Sequence, residues 1–109
     1  MSQRVLMQKF WRTVDKINEI RRVTDNMIAE AQRLGPIKSY RAVQRVNQER
    51  SQIATCAAEL REIEKFNVDL VTPELLARWR GNLAECMANL SQIDMHLWGL
   101  DSQYCEARF

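Results

Sequence analysis

The sequence predicts an all-α protein, an antiparallel three-helix bundle of long helices with coiled-coil-like packing. Three observations lead to this prediction. Only three Gly and two Pro occur among 109 residues that are otherwise rich in strong helix formers. Apolar residues recur at alternating steps of three and four along most of the chain. Two breaks divide this pattern into three segments of about 30 residues, each about 45 Å long at 1.5 Å per residue.

The first helix is predicted to run from about residue 2 to residue 34. Its apolar stripe comprises Phe10, Thr13, Ile17, Ile20, Thr24, Met27, Ala31 and Leu34, widened by Leu6, Val14 and Ile28. Gly35 can adopt the left-handed conformation that follows a helix, and Pro36 cannot continue one. We therefore expect the first helix to end at this pair.

The second helix is predicted from about residue 37 to residue 66, and its apolar stripe is the least regular of the three. The stripe comprises Val43, Val46, Ile53, Cys56, Ala57, Leu60 and Ile63. Glu49 and Arg50 occupy positions where a regular heptad has apolar residues.

The third helix is predicted from residue 73 to about residue 103, because Thr72 is a good N-cap and Pro73 suits the first helical position. Its seam comprises Leu76, Trp79, Leu83, Cys86, Leu90, Ile93, Leu97, Leu100 and Tyr104. Strict three-four alternation of this length predicts coiled-coil-like packing. Short connections make neighbouring helices antiparallel, so residues 1–109 are expected to form a single domain. In the alternative architecture, the third helix projects from a hairpin and pairs with another copy.

The third helix carries more apolar residues than one seam needs, because Met87, Met95 and Trp98 lie off the seam. In a three-helix bundle a wide stripe can simply flank the core. Alternatively, these residues contact a partner helix, since Met adapts its shape and Trp is enriched in interface hot spots. The predicted partner-binding apolar residues are Trp98, Met95, Met87 and Trp11.

The leading functional hypothesis is therefore a non-enzymatic protein–protein interaction module that binds through an apolar helix face. Such a module would be a small helical chaperone, adaptor or inhibitor of the kind found in bacterial secretion or in phages. Its expected partner is another protein, or a second copy of the chain through its helices.

Charge is distributed unevenly along the chain. Residues 1–50 contain eleven Lys or Arg and five Asp or Glu, a net charge of +6, whereas residues 51–109 carry a net charge of −4. This asymmetry predicts either helices that attract each other within the fold or a basic surface for an acidic partner. In the second case, Arg41 and Arg45 are the residues expected to steer that partner.

Binding of nucleic acid is an alternative function. Lys38, Arg41 and Arg45 share one face of the second predicted helix, with Tyr40 beside them, and this face could contact phosphates. Glu49 continues the same face, however, and the whole chain carries a net charge of only +2.

No cofactor, metal site or catalytic residue is predicted. His96 is the only histidine, so a site built from two histidines is excluded. No Cys/His cluster has zinc-ligand spacing, and no glycine-rich phosphate loop is present.

A cytoplasmic location is expected, with no membrane contact. No apolar run approaches the ~20 residues of a membrane span, and the first residues do not resemble a signal peptide. The cysteines are three in number and lack C-x-x-C spacing, and Cys56 and Cys86 are expected to be small core residues.

One short stretch resembles an enzyme family, the small all-helical chorismate mutases. "VNQERSQI" at residues 46–53, with Lys38 upstream, is similar to a motif early in the second helix of that family. The resemblance implies a dicarboxylate held by arginines and a lysine inside the bundle. The residues that it would assign to such a site are Arg12, Lys38, Glu49 and Arg50. Gln48 stands where the family has an arginine. The stretch "GPIKSYRAVQR" resembles the hairpin of small co-chaperones of type III secretion only in commonly occurring residues, and identifies no family.

Overall fold

The computed structural model describes residues 2–34, 40–66 and 71–97. These residues form three helices: α1 (Gln3–Leu34), α2 (Tyr40–Lys65) and α3 (Pro73–Leu97). All three helices pack against one another, which confirms the predicted three-helix bundle. Because α3 contacts both other helices, the alternative with a projecting third helix is wrong. Residues 37–39 and 98–103, predicted to be helical, lie outside the described residues.

Capping side chains define where two of the helices begin. The side-chain oxygen of Ser2 accepts a hydrogen bond from the backbone N–H of Val5 at 3.2 Å. The hydroxyl oxygen of Thr72 accepts one from the N–H of Leu75 at 3.1 Å, and Pro73 is the first residue of α3. The predicted cap of α3 is therefore confirmed.

The core is a single apolar seam along the axis of the bundle. The buried apolar residues include Leu6, Phe10, Ile17, Ile20, Met27, Val46, Ile53, Cys56, Leu60, Ile63, Leu76, Leu83, Cys86, Leu90 and Ile93. These residues match the predicted stripes, since three-four spacing places residues on one side of a helix. Trp79, also on the predicted seam, is half-buried and packs against the core.

The helix directions follow from polar contacts between α1 and its two neighbours. Lys9 Nζ lies 2.6 Å from a carboxylate oxygen of Glu62, so the start of α1 lies beside the end of α2. Arg21 contacts Glu85 of α3 at 2.7 Å. Asp25, one turn beyond Arg21 on α1, accepts a hydrogen bond from Asn89, one turn beyond Glu85 on α3. The order of these contacts makes α1 antiparallel to α2 and parallel to α3.

The bundle is a thin rod of 55 × 24 × 18 Å with a Cα radius of gyration of 16.8 Å. A compact chain of this length has a radius of gyration of about 13 Å. A rod this thin has room for one central seam, so large apolar side chains on the helix flanks remain outside it. The exposed large apolar residues are Val5, Trp11, Phe66, Met87 and Met95.

Within the described part of the chain, no helix combines the length and apolar character needed to cross a membrane.

Candidate interaction surfaces

The groove between α1 and α2 carries charged side chains along its length. Ion pairs join Lys9 to Glu62, Lys16 to Glu59 and Arg45 to Glu30. Glu49 lies between Arg45 and Glu59 on α2. Burial raises the pKa of its carboxyl, and the negative charge of Glu19 raises it further, whereas the charge of Arg45 lowers it. A partner entering this groove would have to desolvate these charges, so it is a poor apolar docking site.

The groove between α1 and α3 is polar in its middle. Arg21 bonds to Asn82 at 2.9 Å as well as to Glu85. One turn further along, the amide nitrogen of Asn89 donates to a carboxylate oxygen of Asp25 at 2.9 Å. These contacts close the middle of the second groove with hydrogen bonds, whereas a crevice between Ile28 of α1 and Ile93 of α3 opens further along it.

The groove between α2 and α3 is different, because among the described residues its ion pairs lie only at its two ends. Arg50 lies 3.8 Å from Asp94 at one end, and Arg80 contacts Glu64 at the other. Seven residues inward from each pair, the antiparallel register places Ala57 of α2 opposite Met87 of α3. Around this pair, the described residues form no ion pair across the groove, and the charged side chain that lines it there is Arg61, one turn from Ala57.

Most of the side chains around Met87 on both helices are small and uncharged. We call this surface the α2–α3 face; it comprises Ser51, Ala54, Ala57, Ala58, Arg61, Ala84, Met87, Ala88 and Ser91. All are exposed except Ala57, which is half-buried, and Met87 is 37% exposed. Small side chains allow another helix to approach to about 8 Å between axes, the close end of helix packing distances.

An open crevice adjoins one end of the α2–α3 face. It lies between Ala57 and Arg61 of α2 and Arg80 of α3, and the buried Leu83 contributes to its lining. Apolar surface in this crevice is therefore reachable from outside the bundle.

Two of the predicted binding residues lie on or beside this face. Met87 lies at its centre, and Met95 is 47% exposed one turn beyond Ser91 on the outer side of α3. Met87 is 37% exposed, so its interpretation as core flank and its interpretation as a partner contact both stay predictions. Trp98 lies outside the described residues.

The other predicted binding residues lie elsewhere on the bundle. Arg21 of α1 contacts Glu85 of α3. Trp11 lies ten residues before Arg21 and Met95 lies ten residues after Glu85, so Trp11 and Met95 are about 30 Å apart along the axis of the bundle. Arg45 pairs with Glu30 at 3.5 Å. Arg41 is exposed near the start of α2. The predicted set is thus divided among separate places and does not form one patch.

The residues implied by the chorismate mutase resemblance do not converge in the described structure. Arg12 is exposed on α1, near the level of residue 60 of α2. Glu49 lies eleven residues from that level, about 16 Å along the helix. Arg50 pairs with Asp94 at the surface, and Lys38 lies outside the described residues.

The described residues with metal-binding side chains do not gather into a group of three or more. Cys56 and Cys86 are free thiols buried in the core. Burial raises the pKa of the Cys56 thiol to about 11 and raises that of Cys86 as well. His96, the only histidine of the sequence, is half-buried.

The alanines of the α2–α3 face were not among the binding residues predicted from the sequence, although a signal for them exists. On α3, small residues and one Met recur at three-four spacing away from the core seam: Ala77, Gly81, Ala84, Ala88, Ser91 and Met95. This second stripe could have been read from the sequence. Its position beside the alanines of α2 depends on how the helices pack.

The fold and its surfaces define a three-helix bundle in which the α2–α3 groove has ion pairs only at its two ends among the described residues. No protein-family model matches the chain, and no curated protein or solved structure matches it.

Proposed function

We propose that this protein is a non-enzymatic interaction module that accepts a helix of a partner protein on its α2–α3 face. One observation supports this more than any other. Among the described residues, the α2–α3 groove has ion pairs at both ends and none between them, where Met87 is 37% exposed.

The physical chemistry of this face suits helix-in-groove recognition. A partner would cover the exposed 37% of Met87, about a third of the roughly 1.5–3 kcal/mol that complete burial of a Met side chain contributes, so Met87 supplies about 0.5–1 kcal/mol of the affinity. The neighbouring alanines contribute little area themselves, but they permit close backbone approach and therefore extensive dispersion contacts. The ion pairs at either end restrict the lengthwise position of the apolar segment that binds.

A module of this kind acts as a chaperone, adaptor or inhibitor by covering an amphipathic helix of its partner. The cytoplasm is the compartment that we propose, since a reducing environment suits the free thiols Cys56 and Cys86.

A matched pair of exposed alanines tests the proposal. A photo-crosslinking amino acid is placed at Ala88, on the α2–α3 face, or at Ala29, exposed on α1. We expect a discrete crosslinked partner in host cells from position 88 and none from position 29. Adding Met87→Glu should abolish the crosslink, because partner binding would then bury an unpaired carboxylate.

Circular dichroism of the Met87→Glu variant should show unchanged helicity, since Met87 lies at the surface. Equal crosslinking from both positions, or crosslinking that Met87→Glu leaves intact, would rule out the α2–α3 face as the binding site.

A further inference from the structure

We propose that a second surface, at the beginning of α1, binds an acidic peptide segment of a partner protein. This surface comprises Arg4, Val5, Gln8, Trp11 and Arg12, and we call it the Trp11 surface. It lies on a different helix from the α2–α3 face and does not depend on the function proposed for that face.

The Trp11 surface exposes apolar groups to solvent. Val5 and Trp11 are each 48% exposed, and the Trp11 ring meets the buried Phe10 ring only edge-on, with 5.2 Å between ring centroids. Met7 and Trp11 line a shallow open crevice of about 580 Å³, together with Arg4 and Arg12. An apolar side chain of a bound peptide fits this crevice.

The charges around the crevice indicate the chemistry of the peptide. Lys9 and Lys16, in the same part of α1, are bridged to carboxylates of α2. Among the described residues, no carboxylate forms an ion pair with Arg4 or with Arg12. Each guanidinium can bind a carboxylate through two parallel hydrogen bonds. Arg4 and Arg12 lie two helical turns apart, about 12 Å, and flank the crevice.

An acidic peptide fits this surface better than a nucleic acid does. Asp15 also lines the crevice, one turn beyond Trp11, and Glu19 pairs with Arg22 further along the helix. The row of unpaired cations is therefore short, whereas nucleic-acid binding relies on contacts with several successive phosphates. Trp and Arg are residues enriched in protein–protein hot spots.

Fluorescence anisotropy of the full chain at low ionic strength tests the proposal. The probe is a fluorescein-labelled peptide of four Glu-Glu-Leu repeats, and its control has Gln in place of Glu. We expect the acidic probe to bind, and the double variant Arg4→Gln, Arg12→Gln to weaken its binding at least about tenfold. The glutamine probe should bind much more weakly than the acidic one.

The matched control is the double variant Arg33→Gln, Arg41→Gln, which removes the same charge from exposed positions at the other end of the bundle. It should change the affinity for the acidic probe less than about threefold, because the Debye length limits long-range attraction. Gln8→Glu adds a repulsive charge at the centre of the surface without removing a packed side chain. It should weaken binding while helicity stays unchanged.

Three results would overturn the proposal: equal weakening by the two arginine double variants, equal binding of the two peptides, or binding of an oligothymidine probe without binding of the acidic peptide. The last result would assign the surface to nucleic acid. Ala88→Glu should leave binding of the peptide unchanged, which separates this test from that of the α2–α3 face.

Discussion

At the scale of single residues, two glutamates in or beside the α1–α2 groove have opposite electrostatic environments. Burial raises the pKa of Glu59, but hydrogen bonds from Thr13 and Lys16, with the charges of Lys16 and Lys9, outweigh it, so the pKa lies below its usual value. The Thr13 hydroxyl, itself fully buried, lies 2.6 Å from Glu59 Oε2. None of the described residues donates a comparable hydrogen bond to Glu49, and burial and the charge of Glu19 raise its pKa.

These shifts predict opposite effects of removing the two charges. A lowered folded-state pKa contributes stability above the unfolded-state pKa, about 4.3, and this contribution is lost as the pH falls through the folded-state value. Glu59→Gln should therefore lower the free energy of unfolding at neutral pH by about 1 kcal/mol, with a smaller difference in acid. Urea unfolding across the pH range measures this effect.

Glu49→Gln is the matched control. A raised folded-state pKa favours the folded state at low pH, and this advantage is lost as the pH rises through the folded-state value. Glu49→Gln should therefore leave the protein equally or more stable at neutral pH. Destabilisation by Glu49→Gln, or neutral-pH stability unaffected by Glu59→Gln, would contradict this assignment of the two carboxyl environments.

At the scale of elements, α3 carries two stripes on different sides. Its apolar seam packs on α1 and α2, whereas the stripe of small residues from Ala77 to Met95 is exposed. Gly81 belongs to the exposed stripe, and a Cβ added there would meet no atom of another described helix within 4 Å. No close approach of another helix within the monomer offsets the conformational cost of this glycine.

Gly81→Ala is therefore expected to stabilise the protein by about 0.5–1 kcal/mol, because alanine restricts the unfolded chain and favours the helix. Thermal or urea unfolding measures the change. Thr72→Ala, which removes the cap of the same helix, should destabilise it by about 1 kcal/mol and provides the opposite control. Destabilisation by Gly81→Ala would mean that another backbone packs closely at that position.

At the scale of the whole molecule, ion pairs between helices explain much of the charge asymmetry of the sequence. Lys9, Lys16 and Arg21 of the basic half contact Glu62, Glu59 and Glu85 of the acidic half. The predicted attraction between helices within the fold is therefore present. Most of these groups are partly solvated, so each pair contributes only about 0–1 kcal/mol.

The stability of the molecule should consequently fall modestly as salt screens these pairs. We expect a lower urea midpoint at about 0.5 M NaCl than at low ionic strength, because the Debye length is then only a few ångströms. The double variant Arg21→Gln, Glu85→Gln should show a weaker salt dependence than the parent. An equal dependence in the double variant would show that this pair contributes nothing.

The sequence by itself determined the helices, the cap of α3 and nearly all of the core, because caps and three-four spacing are local properties of the chain. Only the tertiary structure decided which surplus apolar residues are exposed. It placed Met87 between the ion pairs at the two ends of the α2–α3 groove, and Trp11 on a separate surface beside Arg4 and Arg12. These positions depend on the rotation and register of each helix against its neighbours, which are fixed by contacts between residues far apart in sequence.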